Sequence, residues 1–343
     1  MEGNKTSGSK ASQGNMIMTR DEIKDSIIRH RQQTNQRELK NSSIFQYIQN
    51  FSKLQNVIEP NEELNIKFIY KTDEIEDKLN NYSLTTRRNY YNCIIIIIES
   101  NRDKYSDDID DSIKNFIQKR DTLNEEYNQN NKSHKYSGKQ AENCVTKKEI
   151  MDMLIKIKKE VLGKELFKKT RDEMGNYNYA LLMYYVCVSI HIVCPLRNDL
   201  AFLKVFNYKD TPTEFPENYM IIKKDQVDIV LNDYKTNKDN KTAVIQLKDK
   251  TTINLLKRYI KMTGYDDYLL QNNDGTPLSK NGLSHLFTKF STYYLKKNVS
   301  TTLLRKCFYT DKYGHLIDEM EQDAANNLHS LGTALNVYTK SSA

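Results

Sequence analysis

The segment of sequence that decides the fold is LHSLGTALNVYT, residues 328–339. It places a tyrosine, Tyr338, nine residues after a histidine, His329 (338 − 329 = 9). Upstream, the motif LLRK contains Arg305, which stands 24 residues before His329 (329 − 305 = 24). Each of these residue types is common, so the information lies in their order and spacing.

Two further basic motifs precede this segment. The motif CPLRND follows an uncharged, helix-forming stretch and contains Arg197. The motif NDYKT ends a run of β-branched residues and contains Lys235, which lies between the two arginines in the chain. Lys238 and Lys241 lie on the same expected turn, so either of them could supply the ammonium group instead.

This set of residues suits phosphodiester transfer without a metal or a cofactor. Such a reaction needs a nucleophile, cations on the non-bridging oxygens, a proton donor for the departing sugar oxygen and a further hydrogen-bond donor. Arginine suits the second role because its planar guanidinium binds two phosphate oxygens at once and stays charged. Two separated arginines, a turn lysine and a late tyrosine are therefore the residues that this chemistry requires.

The motifs together resemble the signature of the tyrosine recombinases (integrases), in which a His or Trp precedes the nucleophilic Tyr by nine residues. LLRK is similar to that family's H-x-L-R motif, CPLRND to its first-arginine motif and NDYKT to its hairpin lysine motif. The connector LLQNNDGTPLS, residues 269–279, also resembles the lead into the second arginine helix. The resemblance covers about residues 40–340 and is strongest in the second half of the chain.

The resemblance implies a mechanism and a site. Tyr338 would attack a DNA phosphate to form a 3′-phosphotyrosyl link and release a 5′-hydroxyl. Arg197 and Arg305 would stabilise the transition state with help from His329, and Lys235 would protonate the leaving 5′-oxygen. The ester conserves the energy of the broken bond, so the resemblance implies no metal and no cofactor.

The chain departs from the family pattern at two positions. Thr302 replaces the histidine of H-x-L-R and can donate a hydrogen bond, but it has no imidazole. Leu200 replaces the acid that usually follows the first arginine by three residues, so we expect Asp199 to orient Arg197 instead. These departures leave a catalytically inactive DNA-binding relative as one alternative. The other alternative is a type IB topoisomerase, which resembles this chemistry but religates the same strand as a monomer.

Each site residue also has an ordinary structural interpretation. Tyr338 is one of 23 tyrosines and could be a surface side chain, and His329 could be a core histidine. Arg197 and Arg305 could form structural salt bridges, because an arginine buried without a partner is costly.

Composition favours an intracellular protein with an anionic partner. The 343 residues include 52 Lys and Arg against 45 Asp and Glu, a formal net charge of +7, which favours double-stranded DNA as a partner only slightly. The five cysteines are dispersed and never cluster with histidine, so we expect reduced thiols and no zinc site. Heavy use of Asn, Lys, Ile and Tyr is typical of an AT-rich genome, such as that of a virus or mobile element.

Hydrophobic patterning predicts two domains and a mainly α fold with a small β-sheet (α+β). Residues 1–37 are polar and predict a flexible tail that merges into a polar helix. Residues 38–130 have apolar positions three and four apart, which predicts a helical domain, and the resemblance implies that it is a core-binding domain that contacts DNA. A basic, polar stretch at 131–143 predicts a linker, and residues 144–343 predict a mixed catalytic domain.

Within the second domain, Thr146 and Glu149 form a capping-box pattern at a helix start, and Pro195 ends another helix, Tyr177–Cys194. The pattern then predicts three strands: Tyr219–Ile222, Val227–Tyr234 and Thr242–Leu247. It also predicts five later helices: Ile253–Met262, Lys280–Tyr294, Thr302–Tyr309, Ile317–Asn326 and Thr333–Tyr338.

The uncharged stretch Ala180–Leu196 is near the lower length limit for a membrane span. It contains tyrosines and a histidine, and it leads directly into Arg197. We therefore predict a buried core helix and no membrane association.

Within the first domain, Thr86, Arg87 and Arg88 follow Ser83 at a helix start. A helix start with cations and hydroxyls can hold a phosphate of the DNA backbone. An ordinary helix N-cap with solvated arginines explains the same residues.

Only five residues follow Tyr338 in this sequence, too few for a docking helix. We therefore expect a monomer that assembles into a tetramer only on DNA, through its first domain or its tail.

Overall fold

The computed structural model describes residues 16–60, 62–132, 136, 138–234, 241–265 and 267–339. The chain divides into two compact units, Met1–Lys135 and Tyr136–Ala343, each with its own hydrophobic core. The division lies within the stretch for which the sequence predicts a linker. Over the described ranges, no helix is both long enough and apolar enough to cross a membrane.

The first unit is built from helices. In chain order they are α1 (Arg20–Gln33), α2 (Asn41–Ile58), α3 (Thr72–Asn80), α4 (Leu84–Ser100) and α5 (Ile109–Lys132), with a 3-10 turn at Ile66–Tyr70. Helix α4 contacts each of the others, and four of the five isoleucines in its run Ile94–Ile98 are buried. Because each fully buried isoleucine contributes about 1.5–3 kcal/mol, this run holds the unit together.

The start of this unit contains a polar helix of the kind that the sequence predicts after the tail. Within residues 1–37, the described part begins at Met16 and contains helix α1, whose N-terminus is fixed by a capping box between Thr19 and Glu22. The side chains of Ile23 and Ile27 are fully buried in the core. The helix is polar because only one narrow face of it is apolar.

The second unit is mainly helical with one small sheet, as the sequence predicts. Its helices are α6 (Gly138–Asn143), α7 (Lys147–Gly163), α8 (Arg171–Val193), α9 (Lys250–Thr263), α10 (Lys280–Leu295), α11 (Thr301–Asn326) and the single turn α12 (Leu331–Thr333). Helix α12 continues into a wide π-type turn, Ala334–Tyr338, so the predicted helix Thr333–Tyr338 is present as two consecutive turns.

The sheet has four strands in sequential order. They are β1 (Lys204–Asn207), β2 (Tyr219–Ile222), β3 (Val227–Leu231) and β4 (Ala243–Leu247). Strand β1 runs parallel to β2, whereas β2–β3 and β3–β4 are antiparallel pairs in which Ile222 faces Val227 and Val227 faces Leu247. All five residues of β3 are buried, as expected for a central strand that is covered on both faces.

Several predicted elements of this unit are present. The strand Tyr219–Ile222 has its predicted bounds, and the capping box of Thr146 and Glu149 is confirmed. The predicted helix Tyr177–Cys194 begins earlier, at Arg171, and is interrupted at Gly175, whose φ of 66° is open to glycine because it has no Cβ. Its uncharged part is core, as predicted, because residues 181–188 are all buried.

One pair of predicted helices is wrong. Thr302–Tyr309 and Ile317–Asn326 are parts of a single continuous helix, α11. The residues between them include no proline and one glycine, Gly314, and a glycine inside a helix costs only about 1 kcal/mol relative to alanine. Nothing therefore ends the helix, and its 26 residues extend for about 39 Å at about 1.5 Å per residue.

Candidate active site

The first candidate arginine lies on a tight turn after helix α8. Pro195 cannot continue the helix, and the chain then enters a short 3-10 turn, Asn198–Leu200, that Arg197 precedes. Leu196 and Leu200 on either side are buried in the core. These two leucines fix the turn, so that Arg197 is held half-buried at the surface.

Asn198 joins this turn to two helices that are distant in the sequence. Its Nδ2 donates to Ser284 Oγ at 3.0 Å and to the Lys280 carbonyl at 3.3 Å, both on α10. Its Oδ1 accepts from Thr301 Oγ1, at the start of α11, at 2.7 Å. Sequence reasoning missed Asn198 because its role depends on partners 82 to 103 residues away.

The second candidate arginine lies on the first turns of α11. Ser300 caps this helix, and Arg305 follows Thr301 by four residues, so both lie on one helix face. The Arg305 Nη2 donates to Thr302 Oγ1 at 3.2 Å. The Arg305 Nε is buried and has no hydrogen-bond partner among the described residues.

The electrostatics bring both arginines and Asp199 into one site. Burial lowers the pKa of Arg305, and the charge of Arg197 lowers it further, while Asp199 and Tyr309 act in the opposite direction. Burial also raises the pKa of Asp199, against the attraction of Lys280, Arg197 and Arg305. The site therefore contains two guanidinium groups within electrostatic range of each other and the carboxyl group of Asp199 beside them.

A buried histidine lies beneath the arginines. The His191 Nδ1 is 2.7 Å from the Cys187 carbonyl, its ring packs edge-on against Phe287, and its Nε2 has no hydrogen-bond partner within the described residues. Burial lowers the pKa of His191 to about 4, and the charge of Arg305 contributes to the decrease. His191 is thus neutral at physiological pH and serves the core, as its apolar sequence context suggests.

The buried state of His191 predicts that the second unit loses stability in acid. The unfolded chain takes up a proton below about pH 6.5, whereas the folded chain takes it up only near pH 4. Stability from this group is therefore complete above pH 6.5 and falls by up to about 3 kcal/mol as the pH approaches 4. Denaturant unfolding between pH 4 and 7 should show this loss, and His191→Gln should flatten it. An equal acid loss in the variant would assign the effect to other groups.

The predicted nucleophile and histidine lie together at the other end of α11. Leu328 has a left-handed φ of 57°, and the His329 N–H donates to the Ala324 carbonyl at 2.8 Å, which reverses the chain. The rings of His329 and Tyr338 then lie 4.9 Å apart, tilted by 36°. Both side chains are exposed to solvent.

The structure therefore places the site residues in two groups. Arg197, Asp199, Thr302 and Arg305 lie together at the start of α11, whereas His329 and Tyr338 lie after its end. The 21 residues from Arg305 to Asn326 (326 − 305 = 21) correspond to about 31 Å of helix.

The predicted general acid is outside the described residues. Lys235 and Lys238 belong to the undescribed stretch 235–240. Lys241, the third candidate, is exposed, and its backbone carbonyl accepts from Tyr234 Oη at 3.3 Å.

The predicted DNA-contacting residues of the first unit are partly engaged in the fold. Thr86 Oγ1 is 2.9 Å from the capping Ser83 Oγ, at the start of α4. Arg88 donates to Asn124 Oδ1 at 2.7 Å and stacks on the ring of Tyr127 at 4.1 Å, which agrees with a structural role. Arg87 makes one long hydrogen bond of 3.5 Å, to Asn80, and its buried Nε has no partner among the described residues.

No family model and no curated protein matches the chain. It is similar to the solved structure of the XerH site-specific recombinase bound to difH substrate in a pre-cleavage complex, with 15% identity, a TM-score of 0.47, and coverage of 94% of this chain and 85% of that one. The post-cleavage complex of XerH with palindromic difH substrate has 14% identity to this chain and a TM-score of 0.46, with coverage of 94% of this chain and 92% of that one. The structure of the XerA recombinase has 12% identity and a TM-score of 0.33, with coverage of 84% of this chain and 83% of that one. At these identities and TM-scores, the similarities assign no family to the chain.

Proposed function

We propose that this chain is a DNA strand transferase of the tyrosine recombinase type. In this proposal Tyr338 is the nucleophile, and Arg197 and Arg305 bind the phosphate under attack. The observation that supports this proposal most is that Arg197 and Arg305 lie within electrostatic range of each other at one surface site. The sequence motifs predict this pairing although the two arginines are 108 positions apart in the chain (305 − 197 = 108).

The arginine pair has the properties of a phosphate site. Two like charges that are close together raise each other's electrostatic energy, and the carboxyl of Asp199 beside them is itself desolvated. The buried Arg305 Nε also lacks an acceptor within the described residues. A phosphodiester would supply both the negative charge and the acceptor oxygens, and an arginine fork binds such oxygens in pairs.

The proposed reaction is a balanced transesterification. The Tyr338 phenol oxygen forms a bond to phosphorus, and the bond from phosphorus to the 5′-oxygen breaks. The phenol proton passes to a base, and Lys235 supplies a proton to the 5′-oxygen; reversal of both transfers rejoins the strand. The arginines stabilise the negative charge that develops on the non-bridging oxygens.

Two other residues have supporting roles in this proposal. Thr302 Oγ1 accepts from Arg305, so its own hydroxyl hydrogen remains available to a phosphate oxygen, in place of the missing imidazole. His329 lies against the Tyr338 ring and would orient the phenol or bind a phosphate oxygen.

Double-stranded DNA is the proposed substrate, and site-specific recombination is the proposed outcome. The separate helical unit, with the cationic start of α4 at Arg87, would extend the contact along the duplex. A second DNA-contacting unit favours a recombinase over a topoisomerase that acts on one duplex.

Trapping of the covalent intermediate tests this proposal. A nicked suicide substrate that loses a short 5′-hydroxyl fragment should leave the wild-type chain attached to DNA through a denaturant-resistant bond. Digestion and mass spectrometry should locate the DNA on the peptide that contains Tyr338. Attachment at another residue would reject Tyr338 as the nucleophile. Tight DNA binding with no adduct on any substrate that contains the recognition sequence would identify the chain as an inactive relative.

A further inference from the structure

We infer that the nucleophile acts in trans, so that Tyr338 of one copy attacks a phosphate held by Arg197 and Arg305 of a second copy. This inference rests on the proposed function and specifies how its site is assembled. It follows from the length of α11 and from the contacts at both ends of that helix.

Helix α11 separates Arg305 from the C-terminal end of the helix by a long distance. The Arg305 guanidinium donates to Thr302 at 3.2 Å, and Thr302 precedes Ala324 by 22 residues (324 − 302 = 22). This interval spans about 33 Å of helix. After subtraction of the reach of the threonine side chain and of the hydrogen bond, Arg305 Nη2 lies about 27 Å or more from the Ala324 Cα.

After α11 the chain returns only a limited distance from Ala324 to Tyr338. The His329 N–H contacts the Ala324 carbonyl at 2.8 Å, and the two rings are 4.9 Å apart. With standard covalent lengths, these contacts place the Tyr338 phenol oxygen at most about 18 Å from the Ala324 Cα. At least about 9 Å then separates this oxygen from Arg305 Nη2, even if every step points straight back along the helix.

A shared phosphate allows less than this separation. A nucleophile attacks from about 3–3.5 Å, and a guanidinium nitrogen lies about 4 Å from the phosphorus whose oxygen it binds. For both residues to act on one phosphate, the Tyr338 phenol oxygen and Arg305 Nη2 must therefore lie within about 7–8 Å of each other. Tyr338 and Arg305 of one copy do not meet this requirement while α11 is continuous, so the site is incomplete without a second copy.

The exposed face of α11 supplies an independent observation. Tyr309, Tyr313, Leu316 and Met320 follow one another at steps of four, three and four residues and form an apolar stripe on one helix face. The first three are 56%, 41% and 49% exposed. Solvent-exposed apolar side chains in a row mark a surface that gains free energy when another protein covers it.

A second copy offers a complementary surface close to the arginines. A groove between α7, α8 and the start of α11 is lined by the apolar side chains of Ile150, Leu304 and Phe308. Its basic lining residues are Lys147, which contacts Asp311 at 2.8 Å, and Lys312, for which the described residues include no ion pair within 4 Å. The C-terminal half of α11 is acidic, with four carboxylates at Asp318, Glu319, Glu321 and Asp323. Because Leu304, which directly precedes Arg305, also lines this groove, a helix docked there would bring its Tyr338 towards the neighbouring arginines.

Complementation between two inactive variants tests the inference. The Y338F variant keeps both arginines but has no nucleophile. The R305A variant, which carries a tag that changes its mass, keeps the nucleophile Tyr338 but lacks one of the two arginines. Mixed in equal amounts on the suicide substrate, they should form an adduct of the tagged chain at about a quarter of the wild-type yield, because half of the random pairs are mixed and each has one complete site. A mixture of Y338F with tagged R305A/Y338F should form none.

The outcomes separate the inference from the proposed function. A wild-type adduct without any adduct in the mixture shows cleavage in cis, which overturns the inference and leaves the proposed function standing. If the wild-type chain forms no adduct, both are rejected. The mixing experiment is repeated with R197A in place of R305A, and DNA binding is verified for each variant, so that misfolding of one protein does not decide the result.

A second variant tests the alternative that α11 folds back on its own copy. Folding back needs a break near Gly314, which is the one glycine in this helix. In G314A the new Cβ would lie 3.5 Å from Thr310 Cγ2, an ordinary contact, and alanine strengthens the helix. Adduct formation by G314A should equal or exceed that of the wild type. A loss of tenfold or more with intact DNA binding would favour folding back and overturn exchange between copies.

Discussion

Replacement of Tyr338 with phenylalanine should abolish the covalent protein–DNA complex and leave DNA affinity unchanged. The substitution removes one oxygen atom from a side chain that is 62% exposed, so it leaves the fold intact. Without that oxygen, no bond to phosphorus forms at this position. The measurement is the denaturant-resistant adduct on a nicked suicide substrate, with DNA affinity measured in parallel.

Tyr208 offers a matched control for this experiment. It is 64% exposed and belongs to the same unit, but it lies on the turn after β1. Tyr208→Phe should form the adduct at the wild-type rate. A persistent adduct in Tyr338→Phe, or an equal loss in both variants, would contradict the assignment of the nucleophile.

Removal of either arginine should slow cleavage by about 100- to 1,000-fold, equivalent to about 2.7–4 kcal/mol for one preorganised donor. Arg197→Ala and Arg305→Ala each leave a single cation on the transition-state oxygens. Lysine at either position should restore only part of the rate, because its ammonium lacks the planar fork. Single-turnover cleavage at saturating protein measures the chemical step separately from DNA binding.

Arg258 is the corresponding control for the loss of a cation. It stacks on the ring of Phe167 at 4.1 Å on helix α9. Arg258→Ala should lower general DNA affinity or stability at most slightly and leave the single-turnover rate unchanged. Near-normal cleavage in Arg197→Ala or Arg305→Ala would reject the phosphate site.

Local patterns predicted local structure well in this chain. The capping box of Thr146 and Glu149 and the strand Tyr219–Ile222 depend on residues that are neighbours in sequence. Strand β1, with the sequence KVFN, was missed because its lysine and asparagine leave only two apolar positions, whereas Tyr219–Ile222 has four. Helix α1 was predicted only as a polar helix without bounds, since its few apolar residues do not define where it begins.

The candidate site was predictable as a set of residues but not as a geometry. Motif order indicates Arg197 and Arg305, but their proximity depends on Asn198, which bridges α10 and α11 through side-chain hydrogen bonds. The separation of Tyr338 from these arginines was also hidden, because the sequence predicts two helices, Thr302–Tyr309 and Ile317–Asn326, where the structure has one that contains Gly314. Glycine reduces the stability of a helix but does not by itself end it.

The length of α11 also bears on when such a protein cuts DNA. If a single copy holds its nucleophile away from its own phosphate-binding residues, a lone molecule bound to a chance sequence is harmless. Cleavage then requires two occupied neighbouring sites, and its rate rises with the square of protein concentration at low occupancy. A rigid helix would in this way act as a safeguard against accidental strand breaks, and dilution alone would switch the protein off.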